Sequence, residues 1–335
     1  MATPPHLFSS VRASRRTFLR AMLGFSAGAA VRAFASEGKD NQPNSGTPPV
    51  IDTHMHVWAG DPKQFPFTHP YDPDYTVPVH PATVEMLVDD MDREGCTHSV
   101  LIQVIFHGWD NSYVAHCVRL YPERFKAHGL IDPTDPNVAQ KLEYWMLEHG
   151  LAGMRFSPIY YLDNDRDSWL TSPAHHALWK KAAQLDAVFN FFIATQQLPK
   201  LEYMVQRYPE VPIAIDHISQ IDLGAPNPAP ELQKLLAFAR YPNVWVKISE
   251  LSSVSKSGQY PFPDAYPWVE QVYDAFGPDR LLWGTGYPGS ARAHYKRPTL
   301  RQELDLIRHK IPFFTPEDQE KILGRNAAAL WGFAT

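Results

Sequence analysis

From residue 50 onward, the chain alternates eight times between short apolar runs and longer amphipathic stretches. This alternation is typical of parallel βα units. Eight such units in roughly 285 residues predict a single (β/α)8 TIM barrel of the α/β class over residues 50–335. The alternative, an open doubly wound sheet, would need a glycine-rich phosphate turn after an early strand, and the sequence has none. The predicted strands are Val50–Thr53, Ser99–Ile105, Lys126–Ile131, Gly153–Phe156, Val188–Ile193, Ile213–His217, Val244–Ser249 and Arg280–Trp283.

A helical pattern follows each predicted strand, and one additional C-terminal helix is expected at Pro316–Leu330. Thr315 can cap that last helix, because Asp318 stands three residues later as in a capping box. The long segment Trp58–Pro81, rich in proline and aromatic residues, is either a lid over the barrel mouth or an ordered connector. The other predicted helices are Thr83–Glu94, Tyr113–Tyr121, Asn137–His149, Pro173–Leu185, Pro199–Tyr208, Pro230–Arg240, Asp264–Phe276 and Thr299–Lys310.

The first 35 residues predict an export signal. They contain the run SRRTFL, then the apolar run Ala21–Val31 and an A-x-A cleavage pattern that ends at Ala35. The apolar run is shorter than the roughly 20 residues that a membrane span needs, so no integral membrane segment is expected once the signal is removed. We interpret residues 1–35 as a twin-arginine signal, read by the twin-arginine export machinery, which implies a periplasmic or secreted protein. Residues 36–49 are expected to form a flexible spacer.

The charge balance argues against two kinds of partner. The chain has 31 lysines and arginines against 36 aspartates and glutamates. Five of the arginines and none of the acids lie in the first 35 residues, so the remainder carries a net charge of about −10. Such a chain is a poor partner for nucleic acid or for an anionic membrane surface. We therefore expect a small-molecule substrate.

The two cysteines, Cys96 and Cys117, are expected to be free, buried thiols. Although they could pair in an oxidising compartment, the first stands at the start of a predicted strand and the second lies within a predicted helix. Neither has a histidine partner that would indicate a nucleophilic thiol.

Histidines stand where two strands are expected to end. His54 and His56 are two positions apart in IDTHMH, so on a strand their side chains leave on the same side and converge. His217 directly follows a buried run in IDHIS. Because the active-site groups of a barrel come from the carboxyl ends of its strands, we predict that these three histidines form the site. They would orient a substrate or bind a divalent cation.

Other polar residues stand at further strand ends. Arg155 lies near the end of GMRF, where a guanidinium would bind a substrate carboxylate or support a neighbouring acid. His107 and Tyr287, after the second and eighth strands, are predicted to contact substrate. Glu250 follows KIS and either meets the histidines or faces solvent. Asp52, two residues before the histidine pair, is expected to orient one ring from behind.

The blocks IDTHMHVW, GLAGMRF, IDHIS, NVWVKIS and GPDRLLWGTGYP resemble, in order and spacing, the amidohydrolase-related barrel family. The resemblance covers about residues 50–332 and is nearest to the lactone-hydrolysing branch, similar to pyrone-dicarboxylate lactonase and sugar lactonases. It implies a barrel hydrolase in which His54, His56 and His217 line the site and Arg155 binds substrate.

The chain departs from that family at two places. The family usually ends strand eight in G-S-D-x-P, whose aspartate binds metal or acts as the general base, and Gly286 stands in its place here. Metal-dependent members also often carry a histidine after strand five, where this chain reads IATQQ. The three remaining histidines could still hold a zinc-like cation, or the site could work without metal. Because Glu250 stands where the family usually has a small residue, we predict that it replaces the missing carboxylate.

The leading interpretation is an exported hydrolase that opens a lactone or related ester of a small acidic organic molecule by water attack. The three histidines would polarise the carbonyl or hold a metal, Arg155 would anchor a carboxylate and Glu250 would activate water. One alternative is a metal-dependent non-oxidative decarboxylase on the same barrel. Another is a non-catalytic periplasmic binding protein derived from an enzyme. The sequence leaves the oligomeric state open.

Overall fold

The computed structural model describes residues 48–72, 74, 78–287, 292 and 297–334. Within this part of the chain, eight parallel strands form one sheet in chain order. All eight predicted strands are present, although several end earlier than predicted. They are β1 Ile51–Met55, β2 His98–Ile102, β3 Phe125–Gly129, β4 Gly153–Phe156, β5 Val188–Phe191, β6 Ile213–Ile215, β7 Val244–Ser249 and β8 Leu281–Gly284.

The first and last strands come together and nearly close the sheet into a barrel. Met55 pairs in parallel with Tyr287, just beyond β8. The amide of His56 donates to the carbonyl of Tyr287 at 2.9 Å, and the amide of Gly286 donates to the carbonyl of His54 at 2.7 Å. The (β/α)8 prediction is therefore confirmed, and the carboxyl ends of all the strands meet at one mouth.

Helices surround the strands, as predicted. The cap of the last helix is also confirmed, because the hydroxyl of Thr315 accepts from the amide of Asp318 at 3.2 Å. That helix passes through a π-helical turn at Lys321–Arg325, and none of the described helices is long and apolar enough to cross a membrane. The α-helices are α1 Val84–Glu94, α2 Ser112–Leu120, α3 Val138–Leu147, α4 Pro173–Leu185, α5 Leu198–Arg207, α6 Ala229–Leu236, α7 Leu251–Val254, α8 Tyr266–Phe276, α9 Leu300–Asp305, α10 Pro316–Glu320 and α11 Asn326–Trp331.

An irregularity in β1 decides which of its side chains reach the barrel interior. Ile51 packs in the apolar cluster inside the barrel, whereas Met55 packs in the cluster shared with the helices. Residues four apart on a regular strand share a face, so the alternation must change between them. The pairing of β1 with β2 shifts register between Asp52 and Met55, as at a β-bulge. We infer that this shift turns the face of β1 that carries the site histidines toward the interior.

The C-terminal segment closes the opposite, amino-terminal end of the barrel. Trp331 and Phe333 pack against interior strand residues, and the indole of Trp331 donates to Nε2 of His128 at 2.7 Å. Cys96 and Cys117 are free and buried, as predicted. The predicted signal and nearly all of the predicted spacer, like Tyr75 in the loop after β1, lie outside the described residues.

Candidate active site

His54 and His56 meet at the barrel mouth. Their Nε2 atoms lie 3.2 Å apart, and the rings are nearly perpendicular. Nδ1 of His56 donates to the carbonyl of Ile102, at 2.8 Å. Burial lowers the pKa of His56 to about 4, with a further contribution from Arg155, and burial also holds the pKa of His54 well below its usual value. Both rings are therefore neutral at neutral pH.

His217 joins this pair through an unusual turn. β6 ends at Ile215, and residues 217–220 all have left-handed backbone angles, with φ between 46° and 58°. Four such non-glycine residues in succession are strained, which is common where a fold holds a functional group in place. The His217 ring lies 4.4 Å from that of His54, and its Nδ1 is 2.8 Å from the hydroxyl of Ser249. Burial lowers the pKa of His217.

A buried ion cluster lies beneath the histidines. Oδ1 of Asp216 is 3.0 Å from Nζ of Lys247 and 3.4 Å from Nδ1 of His54, and Oδ2 accepts from Nε of Arg155 at 3.0 Å. Burial alone would raise the pKa of Asp216, but Lys247, His54 and Arg155 outweigh it and hold that pKa well below the usual value. Asp216 is therefore an anion held between cations.

Asp216 and Lys247 were not among the predicted site residues. Asp216 directly follows β6, Lys247 lies within β7, and both are completely buried. Charged side chains are almost never fully buried unless they are paired. An acid and a lysine on neighbouring buried strands could therefore have predicted this ion pair.

Glu250 occupies the space above Gly286. Its backbone is left-handed, with φ 49°. A β-carbon built on Gly286 would lie 1.8 Å from Oε1 of Glu250. Oε1 is also 3.9 Å from Nε2 of His217, while Oε2 accepts from Arg297 at 2.7 Å. Although burial raises the pKa of Glu250, His217 and Arg297 more than offset this and lower it, so the carboxylate is ionised at neutral pH.

A cavity of about 390 Å³ opens above these groups. Its polar end is formed by His56, Arg155, Glu250 and Arg297 around Gly286. The guanidinium of Arg155 also stacks over Phe192, 4.6 Å from the ring centre. The other walls are apolar or aromatic and come from Trp58, Val104, Ile105, Phe106 and Tyr160. The volume suits a small organic molecule, and the two arginines suit an anionic group at one end of it.

Three predicted contacts need correction. Both ring nitrogens of His107 are bound by backbone groups, Ala59 at 3.2 Å and Pro66 at 2.9 Å, so this buried ring holds the loop after β1 instead of lining the cavity. The Tyr287 hydroxyl donates to Asp90 of α1, so its side chain points away from the mouth.

The third correction concerns Asp52. Its Oδ1 accepts from the backbone amides of His54 and Thr285, at 2.9 and 3.2 Å. The carboxylate therefore joins β1 to the end of β8 and does not orient either imidazole from behind. The contacts to the His54 ring come from Lys247 and Asp216 instead.

The side chains fit a divalent cation poorly. Among the described residues, one set of three histidine or carboxylate ligand atoms lies mutually within 4.8 Å, and it consists of His54, Asp216 and His217. This set holds Asp216 in place of the predicted His56. A second cation at Asp216 would stand beside Lys247, whose Nζ already lies 3.0 Å from the carboxylate. We therefore assign no catalytic step to a metal.

Comparison with known proteins gives a consistent family and fold. The sequence profile described as Amidohydrolase matches residues 51–333. A 4-sulfomuconolactone hydrolase of Hydrogenophaga intermedia is 27% identical over 282 residues, which are 84% of this chain and 88% of that protein. An L-fucono-1,5-lactonase of Burkholderia ambifaria is 25% identical over 251 residues, 72% of this chain and 81% of that protein.

A solved structure shares the same architecture. It is the crystal structure of a probable 2-pyrone-4,6-dicarboxylic acid hydrolase from Acinetobacter baumannii with citric acid bound. The TM-score is 0.68 and the identity 23%, and the match covers 85% of this chain and 99% of the other. At this identity the likeness supports the fold.

Proposed function

Since the chain belongs to the Amidohydrolase family, we propose that it is a hydrolase that opens a lactone, or a related ester, of a small anionic organic molecule by attack of water. The names of the two relatives above, a sulfomuconolactone hydrolase and a fuconolactonase, support a lactone as the substrate. The observation that carries the proposal is the ionised Glu250, which faces the cavity above Gly286.

Glu250 would be the general base. Hydrolysis requires a group that takes a proton from water near the scissile carbonyl. Oε2 of Glu250 is fixed by Arg297, which leaves Oε1 toward the cavity and 3.9 Å from Nε2 of His217. A water molecule beside these two atoms could form a hydrogen bond with each of them.

The cationic groups would bind and polarise the substrate. Arg155 uses Nε to hold Asp216, so its terminal nitrogens remain for a carboxylate or for the carbonyl oxygen. As the proton passes from water to Glu250, the new hydroxide bonds to the carbonyl carbon and the negative charge moves to the carbonyl oxygen near Arg155. Collapse of that intermediate breaks the ring carbon–oxygen bond, and the leaving alkoxide takes the proton back from Glu250. The product is the open hydroxy acid.

The two alternatives from the sequence have weaker support. A decarboxylase related to this family would need a divalent cation at the histidines, and the ion pair of Asp216 with Lys247 disfavours one there. A binding protein without catalysis would have no use for Glu250 in a strained left-handed backbone.

We propose export through the twin-arginine pathway on the sequence of residues 1–35. The folded protein would then act in the periplasm or outside the cell. Cell fractionation tests this proposal: the wild type should appear outside the cytoplasm, and substitution of Arg15 and Arg16 by lysine should retain it inside. A wild type found only in the cytoplasm would reject export.

A lactone panel tests the hydrolase. The wild type should open at least one anionic lactone, with hydroxy acid formed in equal amount. Glu250→Gln, which keeps the shape but removes the base, should lower kcat by about 10² to 10⁴-fold. Glu202→Gln is the matched control, because Glu202 lies in an ion pair with Arg240 on helices outside the barrel. If no lactone is opened, or if Glu250→Gln keeps full activity, the proposed chemistry is wrong.

A further inference from the structure

Lys247 is a completely buried lysine that the lactone-opening steps do not use. Its Nζ lies 2.8 Å from the carbonyl oxygen of Thr53, 3.0 Å from Oδ1 of Asp216 and 3.3 Å from Nδ1 of His54. The chain thus places an ammonium group against the histidine pair from the interior side of the barrel. A buried charge is retained only where it is paired or has a role.

The hydrogen bonds of the pair fix the proton on each ring. A carbonyl oxygen only accepts, so Nδ1 of His56 must carry the proton that it donates to Ile102. His56 is neutral, and its Nε2 is therefore bare. Nε2 of His54 lies 3.2 Å from that bare nitrogen, and a hydrogen bond between the rings places the proton on Nε2 of His54. Nδ1 of His54 is then bare as well.

Lys247 and Asp216 have opposite effects on Nδ1 of His54. Oδ1 of Asp216, at 3.4 Å, is an acceptor and would favour a proton on Nδ1. The ammonium of Lys247, at 3.3 Å, is a donor and favours a bare Nδ1. Only the second arrangement is compatible with the bond between His54 and His56. The charge of Lys247 thus favours the tautomer that this hydrogen bond needs.

We propose that Lys247 is a positioning residue that fixes His54 and His56 as a hydrogen-bonded pair and prevents the pair from binding a divalent cation. A cation held by both rings would need the lone pairs of both Nε2 atoms. In the fixed pair, one of those nitrogens carries a proton. Moving that proton to Nδ1 would direct an N–H group at the ammonium of Lys247. This role goes beyond the proposed hydrolysis and does not depend on the substrate.

Nitrogen NMR tests the tautomer directly. The full-length protein, labelled with ¹⁵N in histidine, is measured at neutral pH, and the His54 signals are assigned from their loss in His54→Gln. The wild type should show a protonated Nε2 and a bare Nδ1 at His54. Lys247→Met, which keeps the length but removes the charge, should move the proton to Nδ1, where Asp216 accepts it. Lys126→Met replaces a lysine on another barrel strand and should leave the His54 signals unchanged.

Zinc binding gives the second measurement. Equilibrium dialysis against zinc chloride should show no stoichiometric binding to wild type, and Lys247→Met should bind zinc at least about tenfold more tightly. A wild-type His54 protonated on Nδ1, or one zinc bound per wild-type chain at these histidines, would overturn the proposal. A Lys247→Met variant that keeps the proton on Nε2 of His54 would equally overturn it. If Lys247→Met does not fold, the double variant with Asp216→Asn removes both charges of the pair, and unchanged His54 signals in that variant would also reject a role for the lysine.

Discussion

The carboxylate of Glu250 fills the place that a side chain on Gly286 would occupy, since a β-carbon built there lies 1.8 Å from Oε1. Both residues stand just beyond the ends of neighbouring strands, where Ser249 of β7 pairs with Gly284 of β8. A carboxylate from the end of either strand can therefore reach the same point above the histidines, but both cannot be present together.

An exchange of the two residues tests this relationship. Gly286→Asp alone should lose most lactonase activity, because its side chain collides with Glu250. Glu250→Gly alone should lower kcat/KM by about 10² to 10⁴-fold, because the general base has been removed. The double variant should regain at least about tenfold over either single variant, since one carboxylate again stands above His217. The measurement is kcat/KM on one lactone.

A glycine elsewhere provides the control for backbone strain. Gly258 has φ +60°, close to the +64° of Gly286, but a β-carbon there meets no atom within 4 Å. Gly258→Asp should keep nearly full activity. If Gly286→Asp by itself also keeps it, the two side chains do not compete for one place.

The pH dependence should reflect the lowered pKa of Glu250. A base must be ionised, so kcat/KM should fall only below the ordinary glutamate pKa of 4.5. Arg297→Gln removes one of the charges that lower this pKa, and the acid limb should move upward. Arg301→Gln, on an exposed arginine paired with Glu94, is the control. If the acid limb does not move in Arg297→Gln, Arg297 does not set the pKa of the base.

The same shift predicts a change in stability. Because the folded-state pKa of Glu250 is depressed, its ionised form stabilises the fold above the unfolded-state pKa. This contribution is lost as pH falls through the folded-state value. Urea unfolding of Glu250→Gln should therefore match the wild type more closely at low pH than at pH 7. An equal difference at both values would contradict the assignment.

The negative charge of Asp52 should destabilise the fold, in contrast to that of Glu250. Burial raises its pKa to about 6, and Oδ2 has no hydrogen-bond partner among the described residues. The folded state then binds more protons than the unfolded chain between about pH 4 and 6, so stability falls as pH rises through that window. Asp52→Asn keeps the Oδ1 acceptor and should raise the free energy of unfolding at pH 7.5 by up to about 3 kcal/mol.

Repeating that measurement at about pH 4 is the internal control, because Asp52 is protonated in the folded state there. Little change between variant and wild type is expected. A variant that is less stable than wild type at pH 7.5 would show that the Asp52 charge contributes more than its burial costs.

Arg155→Lys tests the anion site. A lysine is a point charge and cannot both hold Asp216 and present a planar fork to a carboxylate. For anionic lactones KM should rise, and kcat/KM should fall by about tenfold to a hundredfold, the value of a charge-assisted hydrogen bond. Neutral lactones should lose less. Equal losses for both substrate types would show that Arg155 does not bind the anionic group of the substrate.

The barrel could be predicted from the sequence, because strand and helix periodicities are local and each βα unit carries its own pattern. The sequence also placed His54 and His56 together, since two positions on one strand share a face. The same reasoning located Glu250 at a strand end but could not predict the direction of its side chain. Its left-handed backbone is not predicted by any neighbouring residue in the sequence.

The contacts that these groups make could not be predicted in this way. His107 and Tyr287 stand after strands, and Arg155 lies within β4 near its end. The polar atoms of His107 and Tyr287 are nevertheless bound by the loop after β1 and by Asp90 of α1. Closure of the barrel brings Lys247 to His54, 193 residues away along the chain. The pairing of β7 with β8 places Glu250 above Gly286. Contacts of this kind depend on the register and closure of eight strands together, so no local pattern could specify them.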